Sequence, residues 1–210
     1  GVASVKRIYG DWTQPLLGGW KKVLLDHSIT PVQQFAYTTG KNATDSALII
    51  DAMDLLYTRR FGGFCLVSSD SDFTRLAARI REEGLTVYGF GERKTPEPFV
   101  SACDKFIYTE VLRVPAASPP AAEPKAVPGK DERTSLIGLI ASAIDDVSED
   151  DGWANLGAVG STITKLRPSF DPRLHGQKKL SDLVRSLREF SVEERGGPDG
   201  TAKSIYVRNR

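Results

Sequence analysis

Two aspartates separated by a single residue follow an apolar run, and their spacing suits metal chemistry. They are Asp70 and Asp72, in the segment FCLVSSDSDF. A third, Asp45, stands in GKNATDSALII, where a loop gives way to a helical pattern. Carboxylate oxygens are ligands for hard cations such as Mg²⁺ or Mn²⁺, and such an ion polarises a phosphodiester and lowers the pKa of an attacking water. We therefore predict a Mg²⁺ or Mn²⁺ site with Asp45, Asp70 and Asp72 as metal ligands and catalytic residues.

These carboxylates also have a purely structural interpretation, and their spacing alone leaves both open. Asp72 is a good N-cap for the helical pattern that follows it, and Asp70 suits a turn. Two cations near the same segments, Lys41 and Arg75, suit either the neutralisation of a phosphate or an ordinary solvated surface.

Strand and helix patterns alternate over the first 114 residues, and this alternation predicts where the aspartates lie. Short β-rich runs occur at 5–9, 31–37, 64–68, 86–90 and 106–108. Apolar residues with helical spacing occur at 16–27, 45–57 and 72–83, the last followed by Gly84 as a C-cap. This order predicts an α/β domain with a parallel sheet and helices on both faces. Ligands of such sheets bind beyond the carboxyl ends of the strands, where Asp70 and Asp72 follow the run 64–68.

A proline-rich segment divides the chain into two parts. Residues 115–130, PAASPPAAEPKAVPGK, include five prolines and five alanines, which predicts a semi-extended linker between domains at 1–114 and 131–210. The second part has helical patterns at 135–147, 153–166 and 179–190, and then β-rich runs at 191–195 and 204–207 around GGPDG. Helices followed by a hairpin predict a small winged helix-turn-helix.

The charges are unevenly distributed, although the net charge is only +1. Residues 152–210 hold 11 basic and six acidic side chains, which favours a polyanionic partner. No run approaches the roughly 20 apolar residues of a membrane span, and the first residues lack a secretory pattern. Only two cysteines are present, which suits reduced thiols, so we expect a cytoplasmic protein without a membrane partner.

Basic residues crowd around the second and third helices of the second part. They are Lys165, Arg167, Arg173, His175, Lys178, Lys179 and Arg185. Such clusters gain affinity for phosphates through counterion release, although an ordinary solvated face is the other interpretation. The lysine pair before the third helix opposes the helix dipole and suggests a ligand. A further set is interpreted as core rather than base-stacking residues: Trp153, Leu156, Leu166, Phe170, Leu180 and Leu183.

Four stretches of the first part carry a family resemblance: RIYGDW, GKNATDSALIIDAMDLL, FCLVSSDSDFTRLAARIREEGLTVYGFG and FVSACDKFIY. Together, residues 1–112 resemble the NYN domain, a branch of the PIN-like nuclease superfamily. The resemblance implies a PIN-like three-layer α/β sheet and metal-dependent cleavage of RNA, with the metal-binding acids at Asp45, Asp70 and Asp72. Asp51 and Asp104 also match frequent family positions; we interpret Asp51 as structural, and Asp104 either supports the site or is structural.

One departure from the NYN pattern concerns the start of the domain. Such domains open with a strand that ends in an aspartate, in a pattern like I-D-x-x-N, and nothing before Val5 supplies it. The resemblance therefore implies an N-terminally incomplete sheet with unpaired strand edges. A domain without that acid is expected to be weak or inactive as a nuclease.

The second part resembles the OST-HTH or LOTUS domain over roughly residues 132–209. The matching features are Trp153 and Leu156 at a helix entry, Gly160, the run Phe170–Arg173, His175-Gly176 and the pair Lys178-Lys179. The resemblance implies RNA binding, including structured or G-rich RNA, and leaves a protein partner or a second copy of the chain open.

Two functions follow from these features. The first is a metal-dependent ribonuclease whose LOTUS domain selects RNA. The alternative is a non-catalytic RNA-binding or adaptor protein with a degenerate PIN-like domain.

Overall fold

A computed structural model of the protein describes residues 1–35, 43–113, 130–196 and 203–210. The chain begins with a two-stranded parallel sheet of β1 (Arg7–Gly10) and β2 (Thr30–Gln33). A 3₁₀ turn at Pro15–Leu17 and the short helix α1 (Gly18–Lys21) connect the two strands. The helix expected over 16–27 is therefore much shorter, because the chain continues from Lys22 to Ser28 as turns.

A three-stranded parallel sheet follows, and helices precede and connect its strands. In chain order the elements are α2 (Ala43–Tyr57), β3 (Gly63–Val67), a 3₁₀ turn (Ser71–Phe73), α3 (Thr74–Glu82), β4 (Thr86–Gly91), α4 (Glu97–Ala102), β5 (Lys105–Tyr108) and a 3₁₀ turn (Thr109–Val111). Gly84 has a left-handed φ of 78° and follows α3, as predicted. The strand order is β3-β4-β5, and α4 is a helix that the sequence patterns did not predict.

One apolar cluster holds this part together. It joins side chains of α2, α3 and α4 to one face of the sheet: Ala52, Leu56, Leu66, Phe73, Leu76, Ala77, Ile80, Val87, Phe99, Val100, Cys103 and Phe106. Side chains alternate between the two faces of a strand, which explains why Leu66 of β3 is buried whereas Val67 is 71% exposed.

The two parallel sheets are separate within the described residues, because β1 and β3 do not pair. A groove of about 620 Å³ is lined by β1, β3 and α2, including Ile8, Leu66 and Leu48. Unpaired strand edges expose backbone donors and acceptors to whatever lies beside them.

The second part contains three helices and an antiparallel sheet. Its elements are α5 (Lys130–Val147), β6 (Ala154–Asn155), α6 (Leu156–Leu166), a 3₁₀ turn (Pro172–His175), α7 (Leu180–Ser186), β7 (Phe190–Gly196) and β8 (Lys203–Asn209). The strand order is β6-β8-β7. Asn155 caps α6, since its Oδ1 accepts from the Gly157 N–H at 2.9 Å. This arrangement is the predicted helical module with a hairpin.

The core of this second part brings its helices onto the sheet. Leu156, Phe170 and Leu183 are buried there, as predicted. Leu166 is 55% exposed and Trp153 is only half-buried, so the expectation that both belong to the core was wrong. The backbone N–H of Phe106, on the outer edge of β5, donates to the carbonyl of Pro168 at 2.9 Å, which connects the two parts.

Residues 115–129 of the predicted linker lie outside the described residues, as do Lys41, Ala36 and Tyr37 and the centre of the GGPDG turn. None of the described helices is long and apolar enough to cross a membrane.

Candidate functional site

The carboxyl end of β3 positions two of the three predicted acids. The Asp70 Oδ1 accepts a hydrogen bond from the Asp72 N–H at 2.9 Å, and the Asp70 N–H donates to Ser68 Oγ at 3.1 Å. Asp70 is therefore the N-cap of the turn that leads into α3, and the interpretation of Asp72 as the cap was wrong. The cap lies two residues earlier because a 3₁₀ turn precedes α3.

The third acid, Asp45, lies in the first turn of α2 and is within electrostatic reach of the other two. Partial burial, and then the negative charges of Asp70 and Asp72, raise the pKa of Asp45. The helix N-terminus favours a carboxylate at this position, whereas the neighbouring carboxylates oppose it. The charges of Asp70 and Asp72 thus act on Asp45, and we call these three residues the acid cluster.

The carboxylate oxygens of the acid cluster are ligands of the kind that a hard cation prefers. Their arrangement, however, is not that of a preformed metal site. Among the described residues, no group of three His, Cys, Asp or Glu side chains is placed to hold a metal ion. Mg²⁺ usually takes only one or two protein carboxylates, together with waters and substrate phosphates. An ion bound at the acid cluster would therefore be held partly by substrate, rather than enclosed by protein.

Two other acids of the family pattern are engaged in structural contacts. Asp51 Oδ2 accepts from Arg7 Nη1 at 2.7 Å and from the Tyr9 hydroxyl at 2.9 Å, which ties α2 to β1 as the structural interpretation requires. Burial and the hydrogen bond to Asp51 raise the pKa of Tyr9 to about 12. Asp104 accepts from the Val87 N–H at 2.8 Å and precedes β5, at the opposite end of the parallel sheet from Asp70.

Asp104 also pairs with Arg81 at 3.1 Å, so the structure does not bring it to the acid cluster. Arg75 pairs with Glu82 at 3.3 Å along α3. Lys41 lies outside the described residues. Of the three supporting residues named from sequence, none is therefore placed at the acid cluster by a described contact.

Asp11, at the carboxyl end of β1, is an acid that the sequence reasoning did not select. Its carboxylate accepts hydrogen bonds from Thr13, Gln14 and Gln33. The bonds from Thr13 and Gln33 are the main cause of its strongly lowered pKa. The RIYGDW stretch could have pointed to it, because an acid directly after a strand is the same signal as in SSDSDF. Its saturated hydrogen bonds indicate that it orders the turn after β1.

Several basic residues predicted to contact RNA are paired within the protein. Arg173 makes a two-pronged contact with Asp171, at 2.6 Å for Nη2–Oδ2 and 3.0 Å for Nε–Oδ1. Arg185 pairs with Glu194, and Arg167 Nη2 donates to Ser135 Oγ at 3.0 Å. His175 packs against the Phe170 ring, with centroids 6.0 Å apart. The ion pairs of Arg173 and Arg185 reduce the positive charge that the group offers to phosphate.

Three lysines of the predicted set remain exposed: Lys165, Lys178 and Lys179. Within the described part of the chain, no carboxylate lies within 4.0 Å of their ammonium groups. Lys179 occupies the N-cap position of α7 without a side-chain capping bond. These three cations are therefore the members of the predicted set best placed to meet phosphate.

Comparison with known domain families decides the identity of both parts. Residues 1–112 match the NYN domain. The chain belongs to the NYN domain family. Residues 130–201 match the OST-HTH/LOTUS domain, so the predicted order of domains and the predicted fold class are confirmed. The protein thus joins a ribonuclease-like domain, of a family that generally uses divalent metals, to an RNA-binding domain.

Three solved structures are similar to parts of the chain. A solution NMR structure of an uncharacterized protein of Nitrosomonas europaea is 37% identical, covering 47% of this chain and 90% of that one, with a TM-score of 0.36. One of residues 175–257 of a Chromobacterium violaceum protein is 39% identical over 40% of this chain and 88% of that one, with a TM-score of 0.32. A crystal structure of a Vibrio parahaemolyticus protein of unknown function is 20% identical over 49% and 67%, with a TM-score of 0.41. Among the curated proteins, none matches the chain.

Proposed function

We propose that the protein is a metal-dependent ribonuclease that hydrolyses RNA phosphodiesters at the acid cluster and selects RNA with its OST-HTH domain. The observation that carries this proposal is that the negative charges of Asp70 and Asp72 act on the partly buried Asp45 and, after its burial, raise its pKa. A cation placed among these carboxylates would relieve that repulsion. The cytoplasmic location expected from the sequence stays a prediction.

The chain's own residues order the acid cluster before any substrate arrives. Asp70 is fixed by its capping bond through Oδ1, so the donors we propose are Asp70 Oδ2 and the carboxylates of Asp45 and Asp72. Asp45 and Asp72 both lie in first turns, where backbone N–H groups favour negative charge. When bound, Mg²⁺ or Mn²⁺ would stabilise charge on the phosphodiester and lower the pKa of the attacking water.

RNA would be held by the exposed lysines of the OST-HTH domain. Lys165, Lys178 and Lys179 carry charge that no described carboxylate neutralises. Phosphates that replace their counterions supply affinity without base specificity. Arg167, Arg173, His175 and Arg185 would contribute less, because each already contacts another side chain of the domain.

A second function, that of a non-catalytic RNA-binding adaptor, is favoured by two observations. The described residues hold no group of three metal donors, and the NYN sheet is divided between β1 and β3. A catalytic site needs its ligands fixed closely, and no ladder of backbone hydrogen bonds holds β1 against β3 among the described residues. Under this alternative, the NYN domain serves as a docking platform.

Replacing two acids separates these functions. The variant Asp70→Asn/Asp72→Asn keeps a capping side chain at position 70, since asparagine caps helices as well as aspartate does. We expect Mn²⁺-dependent cleavage of a labelled single-stranded RNA to fall by roughly 100-fold or more, because the loss of second-shell groups alone costs about 10–100-fold. RNA affinity should remain unchanged.

The matched control is Asp54→Asn, an exposed aspartate of α2 with no described ion pair, which should cleave like the unmodified chain. If the unmodified chain binds RNA but does not cleave it with either metal, the adaptor function is supported. Identical cleavage by the double variant and the unmodified chain would exclude the acid cluster as the nuclease site.

A further inference from the structure

The outer face of the OST-HTH sheet carries a layer of aromatic and guanidinium groups. Val192 and Val207 pair across β7 and β8 and face the core, and Ala154 of β6 pairs with Val207 on the same side. Because side chains alternate along strands, Tyr206 and Arg208 point to the outer face. Trp153, which precedes β6, lies on this face too.

The four groups are stacked in alternation. The guanidinium carbon of Arg195 lies 4.5 Å from the Tyr206 ring centroid and 5.1 Å from that of Trp153. The guanidinium carbon of Arg208 lies 4.9 Å from the Trp153 ring centroid. These contacts are cation–π interactions, in which the cations hold the rings in fixed orientations. We call the set Trp153, Arg195, Tyr206 and Arg208 the sheet-face stack.

The turn before β6 also orders the sheet-face stack. The Trp153 N–H donates to Asp151 Oδ1 at 2.9 Å, and the Trp153 carbonyl accepts from the Glu149 N–H at 2.9 Å. Gly152 has a left-handed φ of 75°, and a Cβ there would contact the Arg208 side chain at 3.4 Å. Trp153 is therefore held before any ligand binds, which lowers the entropic cost of stacking on it.

The two arginines of the sheet-face stack differ in whether carboxylates of the domain neutralise them, which leaves Arg208 available to a ligand. Arg195 is neutralised by Glu193 at 3.3 Å and Asp151 at 3.5 Å. Arg208 is exposed, and no carboxylate of the described residues lies within 4.0 Å of it. Arg208 thus presents a planar cation on the outer face, with its charge available to a phosphate and its plane to a base.

We propose that the sheet-face stack binds unpaired nucleobases of single-stranded RNA. Bases stack on aromatic rings and on guanidinium planes, and the gain does not depend on sequence. The cation–π contacts of the described residues involve Arg195 and Arg208 and not the helix lysines named above, so we expect those lysines to bind the RNA backbone. The proposal rests on the RNA binding proposed above and adds the surface that distinguishes single strands from duplexes.

The test compares the full chain with Arg208→Lys, which keeps the charge and loses the planar group. The probe is a fluorescein-labelled, unstructured 12-nucleotide RNA, with a hairpin duplex of the same length as comparator, and anisotropy gives both dissociation constants. We expect affinity for the single strand to fall by about tenfold, because one stacked base contributes roughly that much. Affinity for the duplex should change less than twofold. The matched control is Arg188→Lys, an exposed arginine outside the stack.

A second variant, Tyr206→Ala, should show the same selective loss, and its melting temperature reports whether the sheet persists. If it melts early, Arg208→Lys decides the question alone. If the unmodified chain binds RNA and Arg208→Lys binds the single strand with equal affinity, the proposed role of the sheet-face stack is overturned. The RNA-binding function would still stand. Failure of the unmodified chain to bind either RNA would overturn both.

Discussion

At the scale of single residues, the pair Asp171–Arg173 shows how a charged side chain can serve the fold instead of a ligand. Burial alone would raise the pKa of Asp171, but hydrogen bonds from Arg173 outweigh it, and the pKa is lowered. Asp171 also caps the 3₁₀ turn at Pro172–His175, since it accepts from the Arg173 N–H. The ionised carboxylate of Asp171 is therefore more favourable in the folded domain than in the unfolded chain.

We predict that Asp171→Asn, which retains a capping side chain, destabilises the OST-HTH domain by about 1 kcal/mol at pH 7. A lowered folded-state pKa gives stability that is fully present above the unfolded value of about 3.9 and is lost as pH falls through the folded value. The difference between the two proteins should thus be constant from pH 7 to pH 5 and shrink below about pH 4. Urea unfolding at several pH values measures it.

The control for this prediction is Asp150→Asn, an exposed loop aspartate with no described ion pair, which should stay within about 0.5 kcal/mol of the unmodified chain. A deficit of Asp171→Asn that persists unchanged at pH 3 would contradict the electrostatic explanation.

Residue types and spacing selected the three aspartates of the acid cluster, but they did not predict what each one contacts. The order strand, SSDSDF, helix predicts that Asp70 and Asp72 follow a strand, and they do. Which of the two aspartates acts as the N-cap depends on whether the first turn is a 3₁₀ turn or an α-helical turn, and the local spacing of residues does not encode that difference. The partners of Asp104, Arg173 and Arg185 lie 17, two and nine residues away, and a family pattern gives no information on such pairs.

At the scale of elements, the close approach of β4 to β5 depends on a glycine. A Cβ added at Gly89 would lie 2.4 Å from Phe106 Cδ2 and 2.7 Å from Cys103 Sγ. Phe106 and Cys103 are buried in the NYN core, so neither can move aside freely. Because Gly89 has no side chain, the Phe106 ring packs over it and contacts the Phe99 ring, with ring centroids 5.8 Å apart.

We predict that Gly89→Ala destabilises the NYN domain by about 1–3 kcal/mol, the usual cost of overpacking a core. The matched control is Gly138→Ala in the exposed middle of α5, where a Cβ meets nothing within 4 Å. That change should stabilise the OST-HTH domain by roughly 0.5–1 kcal/mol through helix propensity. Urea unfolding followed by circular dichroism measures both. Equal stability of Gly89→Ala and the unmodified chain would show that β4 and β5 are farther apart than described.

Elements with a strong pattern and most of the short strands were predictable, whereas the bounds of the short helices α1 and α4 were not. The apolar periodicity of α2 and the β-rich run of β3 matched the structure to within two residues. The expected helix over 16–27 was too long, since only Gly18–Lys21 is helical and the chain continues as turns from Lys22, and α4 was missed because it has only six residues. The division of the sheet between β1 and β3 depends on long-range pairing, which periodicity does not report.

At the scale of the whole molecule, charge is concentrated in local groups, although each domain is close to neutral. The NYN domain gathers acids that repel one another at the end of β3, whereas residues 152–210 are net basic. Backbone hydrogen bonding between Phe106 and Pro168 joins the two, and Lys105 of β5 contributes to the lowered pKa of Asp171. The basic segment 152–210 would bring a polyanion close to the acid cluster, whose charges repel the polyanion unless a cation is present.

Salt dependence of RNA binding measures which basic side chains of this molecule meet phosphate. Each phosphate neutralised on a single strand contributes about 0.7 to the slope of log affinity against log salt concentration. Lys178→Gln/Lys179→Gln should therefore reduce the magnitude of the slope by about 1.4, whereas Arg185→Gln should leave it nearly unchanged, because Arg185 is paired with Glu194. Anisotropy titrations of the full chain between 50 and 300 mM KCl, on the order of physiological ionic strength, give both slopes. Equal reductions in the two variants would mean that the Arg185–Glu194 pair opens when RNA binds. Arg185 would then contact RNA, as the sequence predicts, despite its ion pair in the free protein.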